Sequence, residues 1–149
     1  MFARLKPLRK STAFYMATIQ EILEKPLRRA LVLSRELNID EEKRTVPLSF
    51  SSEEPILHWF GYLILDHSPE SCDLTRLNSG GALLYAHDRN KKIGVNLEAT
   101  IGDDRKGRAI VQFSKVGLGA EKFQDVIDGI ERTVSFGFGI MDLQPEVGT

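Results

Sequence analysis

RAIVQFSKVGLGAEKFQDVIDGIERTVSFGFGI, residues 108–140, changes its hydrophobic period twice. RAIVQFSK (108–115) reads as a strand. In GAEKFQDVIDGIERT (119–133), Phe123, Val126, Ile127 and Ile130 fall at i, i+3, i+4 and i+7, which predicts an amphipathic helix. VSFGFGI (134–140) then alternates: Val134, Phe136, Phe138 and Ile140 share one face, and Ser135, Gly137 and Gly139 share the other. Upstream, IGVNLEATI (93–101) sets Ile93, Val95, Leu97, Ala99 and Ile101 on one face. The turn GDDRKG (102–107) makes it the hairpin partner of 108–115. Strands, one helix and a further strand predict an α+β fold. The expected form is a mostly antiparallel sheet or barrel with helices outside, not a doubly wound fold.

Further toward the N-terminus, ALLYAHD (82–88) reads as a short strand, and the polar, turn-rich 66–81 as a long loop. ILHWFGYLIL (56–65) has the aromatic and branched content of a buried strand. Residues 39–55 are charged, then rich in proline and serine. They read as a linker with a short strand near Val46–Phe50. Residues 12–38 read as helical, with Pro26 forcing a kink or a junction of two helices. The first ten residues hold Arg4, Lys6, Arg9 and Lys10 and no acid, as a solvated basic arm would. The expected organisation is an arm and helical segment over 1–40, a linker over 41–54 and a β domain over 55–149.

The 149 residues suit one domain, and 42% hydrophobic with 28% charged residues suits a core with a solvated surface. Twenty Lys and Arg against 21 Asp and Glu leave no global field to attract nucleic acid, so none is expected as a partner. No apolar run approaches a membrane span, and the N-terminus lacks a signal-peptide core, so no membrane partner is expected. Cys72 is the single cysteine, which excludes an intrachain disulfide and fits a reducing cytoplasm.

The last strand carries the first hint of chemistry. One face is apolar; the other is stripped of bulk except for the Ser135 hydroxyl. A serine nucleophile needs that clearance, because a substrate carbonyl must reach its oxygen. Glycines at a bend beside a solvent-facing serine would give the same pattern. TVSFG is no G-x-S-x-G elbow. A serine also needs a base, and histidine is the usual one. Of the three histidines, His58 lies beside Trp59 in an apolar strand and reads as a satisfied core or surface group. His67 beside Asp66 in a polar loop reads as exposed, and His87 at a strand end is placed as catalytic groups often are. His67, Cys72, Asp66 and Asp73 lack the paired spacing of a zinc site, so no metal is expected. Gly80–Gly81 precedes a strand, unlike a phosphate loop, and GDDRKG lacks the spaced oxygens of a calcium loop.

Four pieces occur in order at short spacing: Leu83-Leu84-Tyr85-Ala86-His87-Asp88, Ile93-Gly94-Val95, Asp128-Gly129-Ile130 and Val134-Ser135-Phe136-Gly137-Phe138. Together, over about residues 55–141, they resemble the prohead (capsid-maturation) serine proteases of tailed phages. The resemblance implies a fold like the herpesvirus assemblins, a small β-barrel ringed by helices. It implies a serine endopeptidase in the immature capsid, in the host cytoplasm, that cuts scaffold or the scaffold-like arm of the capsid protein, and often itself. It carries the nucleophile onto Ser135 and the general base onto His87, with no cofactor. It also implies a homodimer, for which Phe14, Ile19, Ile22, Leu23, Leu27 and Leu31 offer apolar surface. A barrel that kept the fold and lost activity would instead be a capsid scaffold or assembly domain.

The resemblance does not supply the residue that orients His87. Assemblin-like enzymes place it after the serine, where only Asp142 and Glu146 are ionisable here. Alternation puts Asp142 with Val134 and Ile140, away from Ser135. Glu98, on the polar face of the hairpin, ranks first among the residues present, level with a residue beyond Thr149.

Overall fold

The computed structural model describes residues 1–7, 20–24, 27–33 and 38–145. It has ten strands: β1 (Phe2–Pro7), β2 (Leu27–Val32), β3 (Thr45–Ser52), β4 (Ile56–His58), β5 (Gly61–Leu65), β6 (Ala82–Leu84), β7 (Lys92–Ile101), β8 (Lys106–Phe113), β9 (Thr133–Phe138) and β10 (Asp142–Pro145). Two helices are named here, α1 (Thr75–Asn78) and α2 (Gly117–Ile127). Residues 20–24 are also helical.

The strands form three sheets, in orders β10-β1-β5-β4, β2-β9 and β3-β8-β7-β6. Among the described residues only the β1–β10 pair is parallel. The α+β expectation holds at this level, but the expected barrel does not form. Among the described residues each sheet keeps two edge strands, because β9 pairs with β2 alone and no ladder joins the sheets. The sheets meet through side chains. Phe138 and Ile140 join Leu5, Leu63 and Leu65 in one core, and a second packs Val46, Ile93 and Val111 under Phe123 and Val126. Phe136 touches both the first core and the small cluster of Phe50, Ala99 and Ala109.

Several local expectations are corrected. Residues 2–7 are not a solvated arm: Ala3 and Leu5 alternate with Arg4 and Lys6, and that period of two buries the apolar pair between β5 and β10. Residues 27–32 lie in a strand where a helix was expected, beyond the break that Pro26 invites. The short strand expected near Val46–Phe50 is present but longer, as the eight-residue β3, which pairs with β8 around a bulge at Phe50 and takes up much of the expected linker. ILHWFGYLIL is two strands, β4 and β5, turned at Trp59–Phe60. In β7 the register shifts between Asn96 and Glu98, so Asn96 is buried and Leu97 is exposed, against simple alternation. Asn78 repairs this interruption, donating from Nδ2 to the Ala99 carbonyl at 2.9 Å and accepting the Ala99 N–H at 2.7 Å.

Of the apolar residues offered for a dimer, Ile22 is buried in the chain's own core and Leu27 packs against it, while Leu23 is exposed. Phe14 and Ile19 lie outside the described residues.

Candidate active site

The helix that leads into β9 ends earlier than its apolar period indicates. Asp128 caps α2, and Gly129 follows with φ +70°. The Ile130 N–H donates to the Asp125 carbonyl at 2.8 Å, and the Gly129 N–H to the Val126 carbonyl at 3.2 Å. These two bonds are a Schellman motif, and the left-handed residue it requires is the reason for the late glycine. Ile130 is thereby thrown out of the helix and exposed, and the chain turns into β9.

β9 holds the alternation expected of it. Phe138 and Ile140 are buried, and Phe136 meets the Phe50 ring edge-on with centroids 5.5 Å apart. Ser135, opposite Ala30 of β2, is half-buried on the other face, and Gly137 and Gly139 are exposed. Two aromatic anchors on one face thus hold the hydroxyl on the other.

His87 is not at a strand end. β6 stops at Leu84, and a tight turn follows, closed by the Asp88 N–H donating to the Tyr85 carbonyl at 3.0 Å. Its two central residues, Ala86 and His87, have φ of +52° and +55°. Two successive positive φ values belong to a type I′ turn, which normally takes Asn-Gly. A side chain in that region costs on the order of 1–2 kcal/mol per residue. The surroundings hold it there. The Tyr85 N–H donates to the Lys91 carbonyl and the Lys91 N–H to the Asp88 carbonyl, each at 2.9 Å. The Asp88 carboxylate accepts the Asn90 N–H at 2.9 Å, and Tyr85 packs against the α2 core with the Lys122 ammonium 4.6 Å from its ring centre. Backbone strain held by its surroundings is a mark of functional sites.

The turn brings the imidazole to the serine. His87 Nε2 and Ser135 Oγ are 2.9 Å apart, a hydrogen bond between residues 48 apart in the chain. They lie not on adjacent strands of one sheet but on a turn beside one sheet and a strand of another. Within hydrogen-bond distance, a neutral imidazole can take the hydroxyl proton as the oxygen attacks a carbonyl carbon.

The other candidates are placed as follows. Glu98 is exposed on β7 opposite Ile110, at the end of the bulge. Asp142 is exposed at the start of β10, not turned to the apolar side, because β9 ends at Phe138 and the alternation is lost before β10 begins. Glu146 lies outside the described residues. His67, expected exposed, is fully buried: its Nε2 is 2.7 Å from Ser51 Oγ, and its Nδ1 is 3.0 Å from the Leu65 carbonyl. The signal was present, since Leu63, Leu65 and His67 continue the inward alternation of β5. Among the described residues no three His, Cys, Asp or Glu side chains gather as metal ligands would, and no helix is long and apolar enough to cross a membrane.

No protein-family model matches the chain, and no solved structure matches it. Its sequence is 46% identical over 94 residues to a major capsid protein of Halomonas phage phiHAP-1, a match covering 61% of this chain and 16% of the capsid protein. The chain thus spans about one-sixth of the length of that curated relative. Over that stretch the chain is similar to a phage capsid protein.

Proposed function

We propose that this chain is a serine endopeptidase module of phage head maturation, with Ser135 as nucleophile and His87 as general base. The observation that carries the reading is the 2.9 Å bond from His87 Nε2 to Ser135 Oγ, made between a strained turn and a strand face that continues in Gly137. Ser135 Oγ attacks the scissile carbonyl carbon while Nε2 takes its proton. The imidazolium passes that proton to the leaving amine, and the acyl-enzyme is released by a water that His87 deprotonates. The substrate is scaffold or a scaffold-like arm of the capsid protein, with cleavage of the chain itself as a related event. The residue orienting His87 is sought among Glu98, Asp142, Glu146 and residues beyond Thr149, and the active form is a homodimer.

A second reading has its own observation. The relative is named as a capsid protein, which favours an assembly domain of the same fold without catalysis. The readings are compatible where one long capsid polypeptide carries such a module, since the match takes up only 16% of that protein.

Incubating the chain with its capsid or scaffold protein decides between them. The endopeptidase reading expects discrete fragments from the wild type and none from Ser135→Ala or His87→Ala. Fragments that persist in Ser135→Ala, or a wild type that cuts nothing and resists active-site organophosphorus reagents, leave the assembly domain standing.

A further inference from the structure

Glycines in this fold fall into two groups. Some are required by the chain's own packing. A Cβ on Gly94 would lie 2.2 Å from the Gln112 carbonyl oxygen, and one on Gly107 would lie 2.8 Å from the Phe50 ring. Others, such as Gly129, sit at positive φ. Gly137 and Gly139 meet neither condition. Neither has a positive φ. A Cβ on Gly139 would find no atom within 4 Å, and one on Gly137 only the Leu27 carbonyl oxygen at 3.9 Å. Both are exposed, and both alternate onto the face of Ser135. Glycine weakens an extended segment, and among the described residues nothing asks for it at these two places.

We infer that Gly137 and Gly139 are the floor of the substrate channel, kept bare so that an extended polypeptide can lie along β9 with its scissile carbonyl at Ser135. The inference rests on the endopeptidase reading and deepens it. At about 3.3 Å per residue, Ser135 to Gly139 measures about 13 Å, the reach of four extended substrate residues on one side of the cleaved bond. Side chains of the substrate that point at the floor meet hydrogen atoms, so bulky residues are admitted there. The substrate class is therefore an unfolded or extended segment with large side chains flanking the bond on that side. These two glycines are specificity-determining positions, not catalytic ones.

The test uses the full chain with Gly139→Ala, Gly139→Leu and Gly137→Ala. Each is read with diisopropyl fluorophosphate, a small reagent that needs Ser135 and His87 but no channel, and with denatured casein as an extended substrate. Thermal melts check folding. Labelling within twofold of wild type is expected in all three, with melting points unchanged or higher. Casein digestion is expected to fall severalfold in Gly139→Ala and at least tenfold in Gly139→Leu, with the surviving cuts shifted to small flanking residues. Wild-type labelling together with undiminished digestion by Gly139→Leu overturns the floor alone. Equal loss of labelling and digestion also overturns it, because the substitution would then act on Ser135 itself. A wild type that neither labels nor digests overturns the endopeptidase reading and the floor with it.

Discussion

The molecule contains two histidine–serine pairs of nearly equal geometry, and they differ in everything except the hydrogen bond. His67 Nε2 to Ser51 Oγ measures 2.7 Å; His87 Nε2 to Ser135 Oγ measures 2.9 Å. His67 and Ser51 are each 0% exposed, closed in at the junction of β3 and β5, and His67 Nδ1 is taken by the Leu65 carbonyl. No substrate carbonyl reaches that hydroxyl. The second pair is half-open, joins a turn with two left-handed residues to β9, and is followed on its own strand face by the exposed Gly137. Distance alone therefore does not identify a nucleophile. Access and local backbone strain separate the pair proposed to react from the pair that fills a core.

The largest expected effect breaks the comparison on the chemical side. Ser135→Ala is expected to cut capsid or scaffold processing by at least about 10³-fold with the melting point unchanged, as removal of a triad serine does. Ser51→Ala should leave processing per folded molecule unchanged and lower stability by about 1–2 kcal/mol, the cost of leaving a buried ring nitrogen without its partner. Gel analysis of the products and denaturant melts of both variants check this, and a processing defect in Ser51→Ala would erase the distinction.

On the structural side, His67→Ala should be the costlier change to the buried pair. It opens a cavity and leaves the Ser51 hydroxyl and the Leu65 carbonyl unsatisfied, at a total on the order of 3 kcal/mol. Chemical denaturation measures it, and a loss below about 1 kcal/mol would mean that the pair is not a core element.

Strain offers a smaller and opposite effect. Ala86→Gly removes a side chain from φ +52° and should stabilise the protein by about 0.5–1 kcal/mol once the freer unfolded chain is counted. A melting point that falls would show that the turn is not strained at Ala86.

The smallest effect belongs to the third histidine. His58 stacks on Phe60 with centroids 4.8 Å apart, its Nε2 has no hydrogen-bond partner among the described residues, and burial holds its pKa below the ordinary 6.5. The folded state therefore takes up the proton later than the unfolded state. Its contribution is intact above about pH 6.5 and is lost as pH falls from there to the lower folded value. His58→Phe should flatten the melting temperature over that window, and an unchanged slope would assign the acid sensitivity elsewhere.

The sequence was most legible where one period ran uninterrupted. β9 alternates as its residues predict, because Phe136, Phe138 and Ile140 have a core to enter and the glycines have none. The pairing of His87 with Ser135 came from a resemblance between segments, since a contact spanning 48 residues leaves no local trace. Legibility failed where tertiary contacts overrode local character. The basic residues of β1 masked Ala3 and Leu5, which are buried only because β5 and β10 flank them. The polar neighbours of His67 hide the β5 alternation that carries it inward. The turn at Ala86–His87 has no glycine, so propensity reads through it as strand.

The pairing of β1 with β10 sets an order of events during synthesis. Phe2 lies opposite Asp142, and the Met141 N–H donates to the Met1 carbonyl at 2.9 Å. β1 therefore waits for synthesis to pass β10 before one of its two neighbours exists. Contacts this distant in sequence close slowly. The segment they anchor, residues 139–141, continues directly from the strand of Ser135. A growing chain thus carries Ser135 before it carries the frame that fixes the end of its strand, and that frame closes only after translation has passed β10. Pulsed hydrogen exchange on refolding chains should find the amides between β1 and β10 among the last to gain protection.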